Sequence, residues 1–131
     1  MKKLIACGLA VLLLSAQAAR AEDFTDDAFC TTAKQAAANL KAEGPKWVDQ
    51  VTRNDGMNVD CEGKAVEFKK YLKVNAADMQ HGWEDQMQQA WDQMYCQDPS
   101  MVNAMAHGWT LTVTTDLADG ATLPVTVHCE R

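Results

Sequence analysis

The sequence lacks the short motifs that announce catalysis. It has no Gly-x-Ser-x-Gly nucleophile elbow, no glycine-rich phosphate loop and no His-Glu-x-x-His zinc pair. Close cysteine pairs are missing too. Beyond Ala21 the cysteines are Cys30, Cys61, Cys96 and Cys129, each far from the next along the chain. That spacing matches neither zinc nor thioredoxin-like redox sites. Basic charge is scarce, with 12 Lys and Arg against 18 Asp and Glu. An acidic balance argues against nucleic acid and against anionic membrane surfaces. There is no low-complexity tract and no domain linker. A long apolar run occurs once, at the N terminus.

That run reads as a secretory leader. Lys2 and Lys3 precede an apolar core that extends from Leu4 to Leu14, which is too short to span a bilayer. Ala19-Arg20-Ala21 gives an A-x-A cleavage pattern. Leu4-Ile5-Ala6-Cys7 imitates a lipoprotein box, but Cys7 comes too early, and most of the apolar core follows it. A retained anchor is the other rival. The expected organisation is a cleaved signal peptide at 1–21 and one α+β domain at 22–131, exported to the periplasm of a Gram-negative bacterium or secreted. Losing Lys2, Lys3 and Arg20 leaves 9 basic residues against 18 acidic ones, a net charge of −9. The chain that remains, from Glu22 to Arg131, suffices for one core.

In an oxidising compartment the four distant cysteines are expected to form two structural disulfides. Their pairing depends on the order of elements. Phe29, Ala33, Ala36, Ala37 and Leu40 recur at helical spacing behind a Thr25 or Asp26 cap, and Gly44-Pro45 ends that helix. Residues 46–53 suit either a helical turn or an extended segment. Asn54-Asp55-Gly56 marks a turn or a bulge. Met57, Val59 and Cys61 alternate as a strand, Glu62-Gly63 turns the chain, and Val66, Phe68, Leu72 and Val74 share a face of a second strand. A long helix is expected over 76–95, with Met79, Trp83, Met87, Ala90, Trp91 and Met94 as its apolar stripe. Asp98-Pro99 opens a short helix that Gly108 closes. Trp109, Leu111, Val113 and Thr115 then alternate, Asp119-Gly120 turns, and Val125, Val127 and Cys129 share the last strand's face.

The order α-ββ-α-α-ββ predicts an α+β fold with helices on one face of a four-stranded, mainly antiparallel sheet. Four cysteines allow three pairings. Cys30–Cys61 and Cys96–Cys129 are favoured, because each would tie a helix to the hairpin that follows it. Each loop of about 30 residues would contribute about 3–4 kcal/mol by restricting the unfolded chain.

Ala38-Asn39-Leu40, Pro45, Trp47-Val48-Asp49 and Thr52-Arg53 together form a segment Pro-x-x-Val-Asp-x-x-Thr-Arg behind a helix. With Cys96, Gly108 and Cys129 further on, the chain resembles a family of small exported bacterial proteins that carry this segment and a C-terminal disulfide-linked hairpin. Cys30 and Cys61 are additions to that pattern. The resemblance implies a fold and an address, not a reaction.

The densest polar cluster near this segment is Asp49, Thr52, Arg53 and Asp55, the candidate binding residues. Asp49 and Arg53 would pair if the segment were helical. The cluster reads either as a recognition patch or as a buttress for the first hairpin. Met101, Met105 and His107 are the alternative, a soft-ligand set for copper. The methionines at 79, 87 and 94 instead look like core filler. His81 with Asp85 is at helical spacing, and a solvated face explains it. No cofactor is called for. The expected function is therefore a non-enzymatic binding protein, inhibitor-like or immunity-like, for a basic protein partner. A small-ligand or metal carrier is the second reading. The protein is expected to be a monomer or an edge-paired dimer, with no nucleic acid and no membrane contact once the leader is removed.

Overall fold

A computed structural model describes residues 24–129. The expected leader and its boundary at Glu22 lie outside the described residues. Helix α1 spans Asp26–Glu43. The Thr25 hydroxyl accepts a bond from the Ala28 N–H at 3.1 Å, and Asp26 and Asp27 meet the positive end of the helix dipole. Gly44, at φ 77°, ends it and donates its N–H to the Leu40 carbonyl.

Five strands follow in two groups. β1 is Lys46–Trp47, β2 is Thr52–Asp60 and β3 is Ala65–Leu72. A single 3-10 turn at Ala76–Asp78 precedes α2, Trp83–Tyr95, and α3, Pro99–Ala106. β4, Thr110–Leu117, and β5, Thr122–Thr126, complete the sheet. The spatial order is β1-β2-β3-β4-β5. Three pairings are antiparallel, and the third in order, β3 with β4, is parallel. Parallel neighbours require a crossover, and α2 and α3 supply it.

The expectation of α+β with helices on one sheet face holds, but the sheet has five strands, not four, and is mixed. The extra strand, β1, is two residues long, too short to leave an alternating signal. The helix expected over 76–95 is also corrected. Gly82 sits at φ 87°, a left-handed position that stops any helix running through it, so α2 starts at Trp83. Its stripe shifts accordingly. Trp91 is buried and Met87 and Tyr95 pack against the core, whereas Met94 is 55% exposed.

The core lies between the helices and one sheet face, in rows across the strands. Val59, Val66 and Leu111 form one row, and Met57, Phe68, Val113 and Val125 the next. Val113 is fully buried, and Ala33 of α1 and Trp91 of α2 close over these rows in one cluster. Both favoured disulfides are formed. Cys30–Cys61 joins α1 to the end of β2 with a Cα–Cα distance of 5.7 Å. Cys96–Cys129 joins the end of α2 to the segment after β5 at 5.5 Å. At the Cys61 end, Trp109 Nε1 donates to Asp26 Oδ1 at 3.0 Å, and Lys64 pairs with Asp26 at 2.9 Å. No helix among the described residues is long and apolar enough to cross a membrane.

Candidate functional site

The Pro-x-x-Val-Asp-x-x-Thr-Arg segment folds as the β1–β2 hairpin at one edge of the sheet. Lys46 pairs with Asn54 and Trp47 with Arg53. Within the turn the Val48 N–H donates to the Thr52 carbonyl at 2.9 Å. Asp49 accepts from the Val51 and Thr52 N–H groups at 2.8 and 2.7 Å, the local bonding that suits Asp to turns. The bond from Val51, then that from Thr52, holds the Asp49 carboxyl below its usual range. Asp49 and Arg53 do not pair, because the segment is a hairpin and not a helix. Asp49 and Thr52 serve the turn itself.

Arg53 and Asp55 do come together. The Arg53 guanidinium donates through Nε to Asp55 Oδ1 and through Nη2 to Oδ2, the latter at 3.0 Å. Two positions apart on a regular strand, they would share a face, and that face would be set by the register. A β-bulge decides it. Below the bulge Met57 faces Phe68 and Gly56 faces Lys69, whereas above it Asn54 faces Lys70 and Arg53 faces Tyr71. Asp55 is the extra residue. The bulge sends Asn54 to the core face and lets Asp55 meet Arg53 on the open face.

Around this pair the surface is unusually apolar. The Arg53 guanidinium carbon lies 4.5 Å from the Tyr71 ring centre and 5.4 Å from that of Trp47. The two rings stand edge to face at 6.2 Å. Among the described residues four large hydrophobic side chains are exposed, and three belong to this hairpin: Trp47 at 46%, Val48 at 57% and Val51 at 42%. Clustered Trp, Tyr and Arg is the composition of binding hot spots. Tyr71 was recoverable from the sequence, since it alternates with the inward Leu72. Val48 was not, because a hairpin tip has no period.

Beneath the hairpin lies Lys70, which sequence reasoning missed. It shares the inward phase of β3 with Val66, Phe68 and Leu72, and only 8% of its surface is exposed. Its ammonium donates to Asn54 Oδ1 and lies 5.6–5.8 Å from the ring centres of Trp91, Tyr95 and Phe68. Burial pushes its pKa down and pushes the Tyr95 hydroxyl up to about 12.

The remainder of the open face is polar and internally bonded. Glu67 accepts from Thr114 Oγ1 at 2.6 Å and from Asn58 Nδ2 at 3.0 Å, and these bonds hold its carboxyl below the usual range. Thr122 Oγ1 donates to Asp116 at 2.8 Å. The copper alternative is placed elsewhere. Met101 and Met105 pack against the core. His107 stacks on Phe24 at 4.4 Å between ring centres, and its Nδ1 meets the Asn103 carbonyl at 2.8 Å. A groove of about 310 Å³ between α3 and β4–β5 is lined by Met105 and His128, with Met101 and His107 outside its lining. Among the described residues no three His, Cys, Asp or Glu side chains are grouped to hold a metal ion.

No protein-family model matches the chain, and no curated protein matches it. Its architecture is similar to the crystal structure of PA3611, a Pseudomonas aeruginosa protein provisionally described as secreted. The TM-score is 0.61 at 13% identity, over 77% of this chain and 89% of that one. At that identity the likeness shows the fold alone.

Proposed function

We propose that this chain is a periplasmic or secreted binding protein, not an enzyme, and that it engages a basic protein partner through the β1–β2 hairpin. One observation carries the reading. Three of the four exposed large hydrophobic side chains among the described residues crowd into a single hairpin, beside an arginine that lies against both Trp47 and Tyr71. Exposed apolar clusters of this kind mark contact surfaces. The polar groups beside them are already engaged, Arg53 with Asp55 and Asp49 with the turn amides. Such a surface suits docking by shape, and its polar groups are committed to holding it. The acidic balance, 9 basic against 18 acidic residues over 22–131, favours a cationic partner and is consistent with an inhibitor-like or immunity-like role. Two disulfides suit an oxidising compartment, and the structural neighbour provisionally described as secreted fits the same address.

The test is capture from periplasmic extract at low and high salt, with the wild-type protein and with Val48→Asp. The wild type retains a basic protein at low salt, releases it at high salt, and the variant fails to retain it. Capture that ignores both salt and the substitution contradicts the reading.

A further inference from the structure

We infer that Asn54 and Lys70 form a register lock for the recognition hairpin: Asn54 occupies the buried ammonium and leaves Asp55 to hold Arg53 on the open face. The inference rests on reading that hairpin as the recognition surface.

Between β2 and β3 the pairs Val59–Val66, Met57–Phe68 and Gly56–Lys69 follow one regular register. Continued without interruption, that register would set Asp55 opposite Lys70, Asn54 opposite Tyr71 and Arg53 opposite Leu72. A one-residue change of register turns every side chain to the other face. Arg53 would then point at the core row of Leu72, and Asp55 would meet the ammonium of Lys70. The observed bulge avoids this. Above it the pairs are Asn54–Lys70, Arg53–Tyr71 and Thr52–Leu72. Gly56, at φ 131° with nothing within 4 Å of the position a Cβ would take, supplies the backbone freedom.

Asp55 therefore has two cations within reach of the two registers, Lys70 inside and Arg53 outside. Lys70 has a strong claim. It is more than nine-tenths buried, and the ion pairs among the described residues leave it without a carboxylate. Three aromatic rings surround it, but rings give no directional hydrogen bond. An ammonium out of water seeks any acceptor it can find. The Asn54 amide oxygen meets that need on the inner face. It thereby removes the one interaction that would draw Asp55 inward, and Asp55 closes its two-point contact with Arg53. That contact holds the guanidinium against Trp47 and Tyr71.

The test reads the Arg53–Asp55 pair in the free protein, so that failure to find a partner leaves the outcome readable. The observable is the protection of the Arg53 Nε–H against solvent exchange by NMR. Asn54→Leu removes the acceptor while keeping the lysine, and protection is expected to fall at least tenfold as Asp55 turns to Lys70. The double variant Asn54→Leu/Lys70→Met removes the competing cation as well, and protection is expected to return to within about twofold of wild type. Asn54→Asp, which satisfies Lys70 by a stronger acceptor, keeps protection intact and serves if Asn54→Leu does not fold. Unchanged protection in Asn54→Leu overturns the inference. So does a double variant as loose as the single one, which would mean a lost packing contact, and so does loss of protection in Asn54→Asp.

Discussion

A lysine in the inward phase of a strand sets the residue-scale behaviour of this protein. Withdrawing an ammonium from water costs several kcal/mol, and three rings at 5.6–5.8 Å return about 0.5–2 kcal/mol each. The balance depends on pH. Burial lowers the native pKa of Lys70, so between that value and about 10.4 the unfolded chain binds the extra proton. Stability rises with pH across that window. Tyr95 runs the other way. Its native pKa is pushed up to about 12 against about 10 in the unfolded chain, so the unfolded chain loses its proton first. Stability falls between about pH 10 and 12, by about 2–3 kcal/mol in all. Urea midpoints measured from pH 7 to 12 should climb, then drop. Lys70→Met should flatten the climb and Tyr95→Phe the drop. A climb that persists in Lys70→Met assigns it to another group. The sequence hid this residue behind its charge, because Val66, Phe68 and Leu72 read as a face only when position 70 is passed over, yet strict alternation includes it.

At the scale of elements the β2 bulge governs the surface, and Gly56 governs the bulge. Its φ of 131° is a conformation that side chains with a Cβ adopt only under strain. Gly56→Ala should therefore cost about 1–3 kcal/mol, measured by urea denaturation, although the position itself is open. A neutral result would show that the strand can straighten without loss. The sequence marked Asn54-Asp55-Gly56 as a turn or a bulge, and it is a bulge, because β2 already runs from Thr52 and has no room to reverse. The 65–72 and 110–117 strands and the short helix behind Asp98-Pro99 were legible from period and caps. The very short β1 carried no period. The long helix was misjudged because Gly82 interrupts it inside a stripe whose spacing continues on both sides. Of the candidate site, Arg53 and Asp55 were legible as a polar cluster. Their apolar surroundings were not, because exposure at a hairpin tip is decided by tertiary packing.

For the molecule as a whole, the two disulfides each staple a helix to its neighbouring strands, with sequence separations of 31 and 33. Replacing either pair by alanines should lower unfolding free energy by about 3–4 kcal/mol. A loss well under about 1 kcal/mol would mean the bridges add little to the core. The pairing was legible because each helix precedes the strands it covers. The parallel junction of β3 and β4 was not, because a crossover of two helices leaves no local signal of direction. Helices cover one face of this sheet and leave the other open, with the hairpin at its edge. The proposed docking of a partner at this edge can be read by site-specific photocrosslinking. A photoreactive residue is placed at Val48 on the hairpin or at Gln89, an exposed position of α2 on the opposite side of the sheet. Irradiated in periplasmic extract, the protein should crosslink one basic partner from position 48, and none from position 89. Crosslinking from position 89 with silence at position 48 would place the docking surface on the helical side and not at the hairpin.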